Sequence, residues 1–140
     1  MSDMKVTQLS VFIENKSGRV SEVTAILGES GINIRGFSVS DTAEYGILRL
    51  IVDRPHDGAE VLRAAGFTVR EDDVICIDLP DVPGGLAGIL QMVSSAGVNI
   101  EYVYSLIATY VVVNVADVDR ALHLLADKPV RLVGQAEIAA

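Results

Sequence analysis

Apolar and polar positions along the chain follow two rhythms, one of period two and one of helical period, and the order of those rhythms repeats. From Val6 to Ile13 the pattern alternates: Leu9, Val11 and Ile13 share one face and Gln8, Ser10 and Phe12 the other, which predicts a strand with one buried side. Glu14 to Gly18 reads as a turn. Val20, Val23 and Leu27 then recur at helical spacing, with Ile26 widening the stripe, and Gly31 ends the helix. Ile32 to Ser40 and Tyr45 to Asp53 predict two strands around a polar turn, Asp41 to Glu44. A second helix starts at Pro55, carries Val61, Leu62 and Ala65, and stops at Gly66. Phe67 to Arg70 predicts a fourth strand, and Glu71-Asp72-Asp73 a polar seam.

The same order then returns. Ile75, Ile77 and Leu79 alternate with Cys76 and Asp78. Leu86, Ile89, Leu90 and Val93 form a helical stripe closed by Gly97. Val98 to Ser105 and Thr109 to Val115 predict strands, and Val118, Ala121, Leu122 and Leu125 a last helical stripe that ends before Pro129. Val130 to Gly134 begins the final strand. Gly18 and Gly84, Gly31 and Gly97, and Asn33 and Asn99 each stand 66 residues apart, so the chain reads as one small domain written twice. The third strands are offset by 63, Leu48 to Val111, which places an insertion of three residues in the first hairpin, where insertions are tolerated.

Strand, helix, strand, strand, helix, strand in each half predicts an α+β chain of two ferredoxin-like βαββαβ domains, residues 1–72 and 73–140. Each would hold an antiparallel sheet with its helices on one face. The third strands are apolar on both faces, Ile47 and Ile51 against Leu48, Leu50 and Val52, and Tyr110 and Val112 against Val111, Val113 and Val115. A sheet with one wet face alternates with polar residues, so the open faces are expected to be covered by the other half or by another subunit. Halves of this size bury little surface alone, which also points to packing of the halves and to a homo-oligomer, most simply a dimer.

Composition narrows the chemistry. Of 140 residues, 50% are hydrophobic and 21% charged, enough for a packed core, and the formal net charge of −8 disfavours nucleic acid and anionic membranes as partners. The single cysteine, Cys76, excludes an intrachain disulfide and sits on a strand as an apolar filler. The N-terminus has no apolar core of a signal peptide, and the longest apolar run, Leu106 to Ala116, is too short to span a bilayer; a soluble, cytoplasmic protein is expected. His56 and His123 are the only histidines, and no nucleophile elbow, phosphate loop or dinucleotide fingerprint is present, so neither catalytic residues, nor a metal, nor a cofactor is expected. Asp72 and Asp73 read as linker charges.

What remains is the corner between first strand and first helix. A helix start leaves backbone N–H groups without intrahelical partners and is electropositive, so a carboxylate is a natural guest. Gly18, Gly84 and Gly85 lack a Cβ and would let a ligand approach the backbone. Asn15 and Asp81, also 66 apart, can accept from an ammonium group. Such residues also serve simply to close a turn.

At these residues the chain resembles the ACT domain family, ligand-sensing modules of amino-acid metabolism. The family pattern is Asn or Asp, any residue, Pro, Gly and an aliphatic residue, with Gly-x-Asn-Ile downstream. The second copy reads Asp81-Val-Pro-Gly-Gly-Leu86 then Gly97-Val-Asn-Ile100, and the first Asn15-Lys-Ser-Gly-Arg-Val20 then Gly31-Ile-Asn-Ile34. The first half is also similar to the ACT domain of the small regulatory subunit of acetolactate synthase, which makes a branched-chain amino acid one candidate ligand. The resemblance implies a non-enzymatic regulatory protein that binds an amino acid between ACT domains and controls a partner enzyme or regulator of amino-acid metabolism. It implies contacts from Asn15, Ser17, Gly18, Arg19 and Val20, from Asp81, Gly84, Gly85 and Leu86, and from Asn33, Ile34, Asn99 and Ile100 on facing strands. Ser17 replaces the usual proline and Gly85 adds a second glycine, so the corners are not equivalent. Two other readings stand beside it: an acylphosphatase-like hydrolase using Arg19 and Asn33, and a purely structural dimerisation module.

Overall fold

The computed structural model describes residues 4–14, 16, 18–41 and 45–140. They form two compact units divided between Asp72 and Asp73; the segment up to Val6 groups with Asp73–Glu137, and Ile138–Ala140 with Thr7–Asp72.

In the N-terminal unit, β1 (Val6–Glu14) leads into α1 (Arg19–Glu29), then β2 (Ile34–Asp41), β3 (Tyr45–Val52), α2 (Pro55–Ala64) and the start of β4 (Thr68–Asp78). The strand order is β2-β3-β1-β4. Antiparallel pairing sets Leu9 opposite Leu50 and Val11 opposite Leu48, which puts four large side chains on one face. Val23 and Leu27 of α1 and Ala59 and Leu62 of α2 cover that face and complete a core with Val52 and Val69. The predicted period-two and helical stripes meet here, each strand side chain finding a helix side chain.

The C-terminal unit repeats the plan. The rest of β4 is followed by α3 (Gly85–Ser95), β5 (Ile100–Ser105), β6 (Tyr110–Val115), α4 (Val118–Leu125), β7 (Arg131–Val133) and α5 (Gln135–Ala139). β5 pairs with β6, β6 with β4, and β4 with β7, all antiparallel. Ile75, Ile77, Val111, Val113 and Val115 pack under Ile89, Val93, Ala121, Leu122 and Leu125. Each unit is thus a ferredoxin-like βαββαβ layer pair, as expected from the element order.

Several details depart from expectation. The seam Glu71–Asp73 is not a break: β4 runs unbroken from Thr68 to Asp78. Its charges are satisfied in place, since Asp72 accepts from Ser10 Oγ at 2.7 Å and from Arg70 Nε at 2.7 Å, so it is no linker charge. β1 is not buried on one side only, because Gln8 and Ser10 are 0% and 1% exposed. Gln8 Nε2 donates to Ser10 Oγ at 3.3 Å, which makes that burial affordable. Ile51 and Val112 are likewise fully buried, in keeping with third strands apolar on both faces, and so is Cys76 on β4.

Ala65 and Leu86, both expected on buried stripes, are exposed; α2 buries the expected Leu62 together with Gly58 and Ala59. A Cβ on Gly58 would stand 3.2 Å from Leu9 Cδ1, so the helix sits close against the sheet there. The last strand is only three residues, and α5 was not expected. Arg131, at the start of that strand, pairs with both Asp78 at 2.9 Å and Glu137 at 2.6 Å and so ties β7 to β4 and α5. The hairpin residues 42–44 lie outside the described residues.

Candidate functional site

The two strand–helix corners share their turn-closing bond and their first helical bond. Gly18 and Gly84 are the residues before α1 and α3, with φ/ψ of 86°/−4° and 79°/0°. In each, the amide of the next residue closes the turn: Arg19 N–H donates to Lys16 O at 3.3 Å and Gly85 N–H to Val82 O at 3.0 Å. The first helical bonds also correspond, Glu22 N–H to Gly18 O and Gly88 N–H to Gly84 O, both 2.9 Å. Neither glycine brings a side chain to cap its helix, and nothing stands within 4 Å of where its Cβ would be. Only the left-handed backbone favours glycine at these positions, since a side chain would find room.

Gly85 departs from expectation. A Cβ there would lie 2.1 Å from the Pro80 carbonyl oxygen, so the space is filled by the turn itself and not left for a ligand.

Beside the first corner lies a cavity of about 350 Å³. Its walls are Phe12 and Glu14 at the end of β1, Arg19 at the start of α1, Tyr45 at the start of β3, and Gly66 and Phe67 in the turn before β4. The antiparallel sheet brings these together, because β1 ends where β3 begins and Glu14 pairs with Tyr45. Charges ring the opening. Arg19 Nη1 donates to Glu22 at 2.7 Å and Nη2 to Glu14 at 3.4 Å, and Lys16 Nζ lies 3.0 Å from Glu14 Oε2. The Lys16 hydrogen bond, with help from Arg19, holds the Glu14 carboxyl below the usual carboxylate range. Bonding to Glu22, then Glu14, raises Arg19. The Arg70 guanidinium sits over the Phe12 ring, 5.6 Å from its centre.

The second corner has a cavity with a different lining. Its cavity, about 330 Å³, is lined by Pro80, Asp81, Val82, Leu86, Ala108 and Tyr110 among others, with no cation. It faces the β5–β6 hairpin, to which Leu79 N–H is tied through Thr109 O at 2.9 Å. Thr109 Oγ1 also donates to Asp78 Oδ1.

Within each unit the expected residues stand at the corner and at the start of the second strand. Gly18 and Arg19 stand at the first corner and Asp81, Gly84 and Leu86 at the second, while Asn15 and Ser17 lie outside the described residues. Val20 turns into the core, as do Ile34 and Ile100. Asn33 precedes β2 at the far end of α1, its amide held by Asp53 Oδ1 at 2.9 Å. Asn99 lines a smaller hollow of about 120 Å³ with Asp117 and Arg120. An 11-residue helix is roughly 16 Å long, so Arg19 and Asn33 cannot cradle one phosphate within a unit, which removes the basis of the hydrolase reading. Phe12, Glu14, Tyr45 and Phe67, which line the first cavity, are not among the expected residues; for the aromatic ones, scarcity among three Phe and four Tyr is the signal the sequence offers.

Other candidates are quiet. Cys76 is fully buried, and burial pushes its thiol up to about 12. Among the described residues no group of three His, Cys, Asp or Glu is placed to hold a metal, and no helix is long and apolar enough to cross a membrane.

Comparison with known proteins agrees with this architecture. The chain matches the family described as ACT domain pair over residues 4–139. A protein of Bacteroides thetaiotaomicron of known crystal structure is 38% identical, with 97% of this chain and 96% of that one covered and a TM-score of 0.90. The regulatory subunit of aspartate kinase from Thermus thermophilus, in its ligand-free form, is 19% identical over 86% of this chain and 88% of its own, with a TM-score of 0.63. That from Thermus flavus is also 19% identical, over 86% and 90%, with a TM-score of 0.58. At such identities the likeness is one of fold. No curated protein matches the chain. Duplicated corners, equal strand orders and the family match over nearly the whole length lead to one conclusion: the chain belongs to the ACT domain pair family.

Proposed function

We propose that this protein is a cytoplasmic, non-enzymatic regulator of two ACT domains, residues 1–72 and 73–140, that binds an amino acid at its strand–helix corners and passes that state to an enzyme or regulator of amino-acid metabolism. The observation that carries the reading is the cavity beside Gly18, with Arg19 and Glu14 at its opening. A cation and an anion at one small concave site suit a zwitterion, whose two charges need opposite partners. The starts of β2 and β5, where Asn33 and Asn99 stand, lie at the far end of their own units. Their part in binding therefore belongs to a ligand that a neighbouring ACT domain also touches. The partner enzyme is proposed by likeness of fold to the aspartate kinase regulatory subunits. A homodimer is supported by Phe37 and Val39, 62% and 49% exposed on the edge strand β2.

A ligand moves a two-state partner only through its difference in affinity for the two states. Titration calorimetry against the standard amino acids tests the first step. At least one is expected to bind with a Kd below 1 mM, about −4 kcal/mol. Failure of all of them removes the reading and leaves a structural dimerisation module.

A further inference from the structure

The two corners share a backbone but not a cavity, and the difference is chemical. Three of the chain's seven Phe and Tyr side chains, Phe12, Tyr45 and Phe67, gather at the first cavity, and only Tyr110 at the second. The first opening carries Arg19 and an ionised Glu14, the second only Asp81. Resting on the amino-acid reading above, we infer that the first corner selects an α-amino acid with an aromatic side chain. Its carboxylate pairs with Arg19, its ammonium with Glu14, and its ring packs among Phe12, Tyr45 and Phe67.

Each part follows from a contact. A guanidinium has five N–H donors, and Glu22 engages one terminal nitrogen and Glu14 the other, so Arg19 keeps donors for a further carboxylate. Glu14 Oε1 receives Arg19 at 3.4 Å and Oε2 receives Lys16 at 3.0 Å; a carboxylate has about four lone-pair sites, which leaves it able to accept an ammonium. Because Glu14 and Glu22 flank Arg19, a bare carboxylic acid meets repulsion that a zwitterion relieves. A cavity of about 350 Å³ takes one small metabolite. Aromatic rings prefer edge-to-face or offset partners, and rings contributed by β1, β3 and the turn before β4 line the site, one of them, Phe12, also lying under the Arg70 guanidinium.

Calorimetry on the full chain separates the outcomes. L-Phenylalanine, L-tyrosine or L-tryptophan is expected to bind at least tenfold more tightly than L-valine, L-leucine and L-aspartate. 3-Phenylpropionate and phenethylamine, each lacking one charge, should bind at least tenfold more weakly than L-phenylalanine. Arg19→Gln and Glu14→Gln should each weaken the aromatic amino acid tenfold or more. Tyr45→Ser, at a side chain 60% exposed, should do so about fivefold without disturbing the core, as circular dichroism would verify. Tighter binding of any aliphatic or acidic amino acid overturns this inference and leaves the amino-acid reading standing. So does aromatic binding indifferent to all three substitutions. Binding by no amino acid overturns both.

Discussion

At Gly84 the backbone is left-handed with open space around it, whereas at Gly85, one residue on, a carbonyl oxygen occupies the place of a side chain. The two glycines should therefore fail differently. Gly84→Ala, like Gly18→Ala, meets only the left-handed penalty, about 1–2 kcal/mol, and Asn, which tolerates that conformation, should regain much of it. Gly85→Ala drives a Cβ onto Pro80 O and should cost about 1–3 kcal/mol through the backbone shift it forces, with Asn no better. Urea denaturation of these variants, read as a change in midpoint at constant m, checks the distinction. Cys76 makes a prediction in pH. Its thiol is raised from 9.0 to about 12 in the folded chain, so above pH 9 the unfolded state binds fewer protons than the folded one. Stability from this group is complete below about pH 9 and is lost as pH rises toward about 12, by up to about 1.4 kcal/mol per pH unit. Cys76→Ala should show a shallower decline over the same window, and native Cys76 should resist alkylation by iodoacetamide until the chain unfolds.

At the scale of elements, β4 is the strand whose nature the charges concealed. Asp72 and Asp73 look alike in sequence but differ in place: Asp72 receives the hydroxyl of a buried Ser10, while the Asp73 side chain is 57% exposed. Asp72→Ala should cost about 1–3 kcal/mol by leaving the buried Ser10 hydroxyl without the acceptor it donates to, and Asp73→Ala should stay within about 0.5 kcal/mol; equal effects in chemical denaturation would return the segment to a linker. β1, β3, α1 and α4 were legible because large apolar side chains mark their buried faces at regular spacing. The inner face of α2 was not, since Gly58 and Ala59 carry almost no hydrophobic signal and are buried because they are small. The corner was half legible. Its glycines and Arg19 stand in one motif, but Phe12, Tyr45 and Phe67 are brought together by strand pairing, and no local spacing connects them. Gly85 misled because a missing Cβ looks the same in sequence whether the space is open or filled.

For the molecule as a whole, the question is what meets the edge of the N-terminal sheet. β2 ends that sheet, and its register sets Phe37 opposite Leu50 and Val39 opposite Leu48, so both lie on the helix-covered face but beyond its cover. In the C-terminal unit the corresponding edge positions are Val103 and Ser105, opposite Val113 and Val111, the first half-buried and the second polar. Edge strands are commonly guarded by lysine, proline or bulges. In β2 the irregularity lies between Ile34 and Gly36 and the charge of Arg35 falls beside it, which leaves Phe37 to Ser40 regular and unguarded. A second copy of the chain, pairing there, would cover both exposed side chains at once. Sedimentation equilibrium should then give twice the chain mass of 14.9 kDa, and the double substitution Phe37→Asp, Val39→Lys should return it to a single chain without loss of helical circular dichroism. A wild-type monomer would end the dimer proposal, and a dimeric double variant would move the interface elsewhere. Ligand affinity in the same variant decides a further point, because assembly and binding that share a surface must weaken together. If the double variant loses amino-acid affinity along with mass, the second wall of the site comes from the neighbouring copy. If affinity survives, the single chain supplies everything the ligand touches.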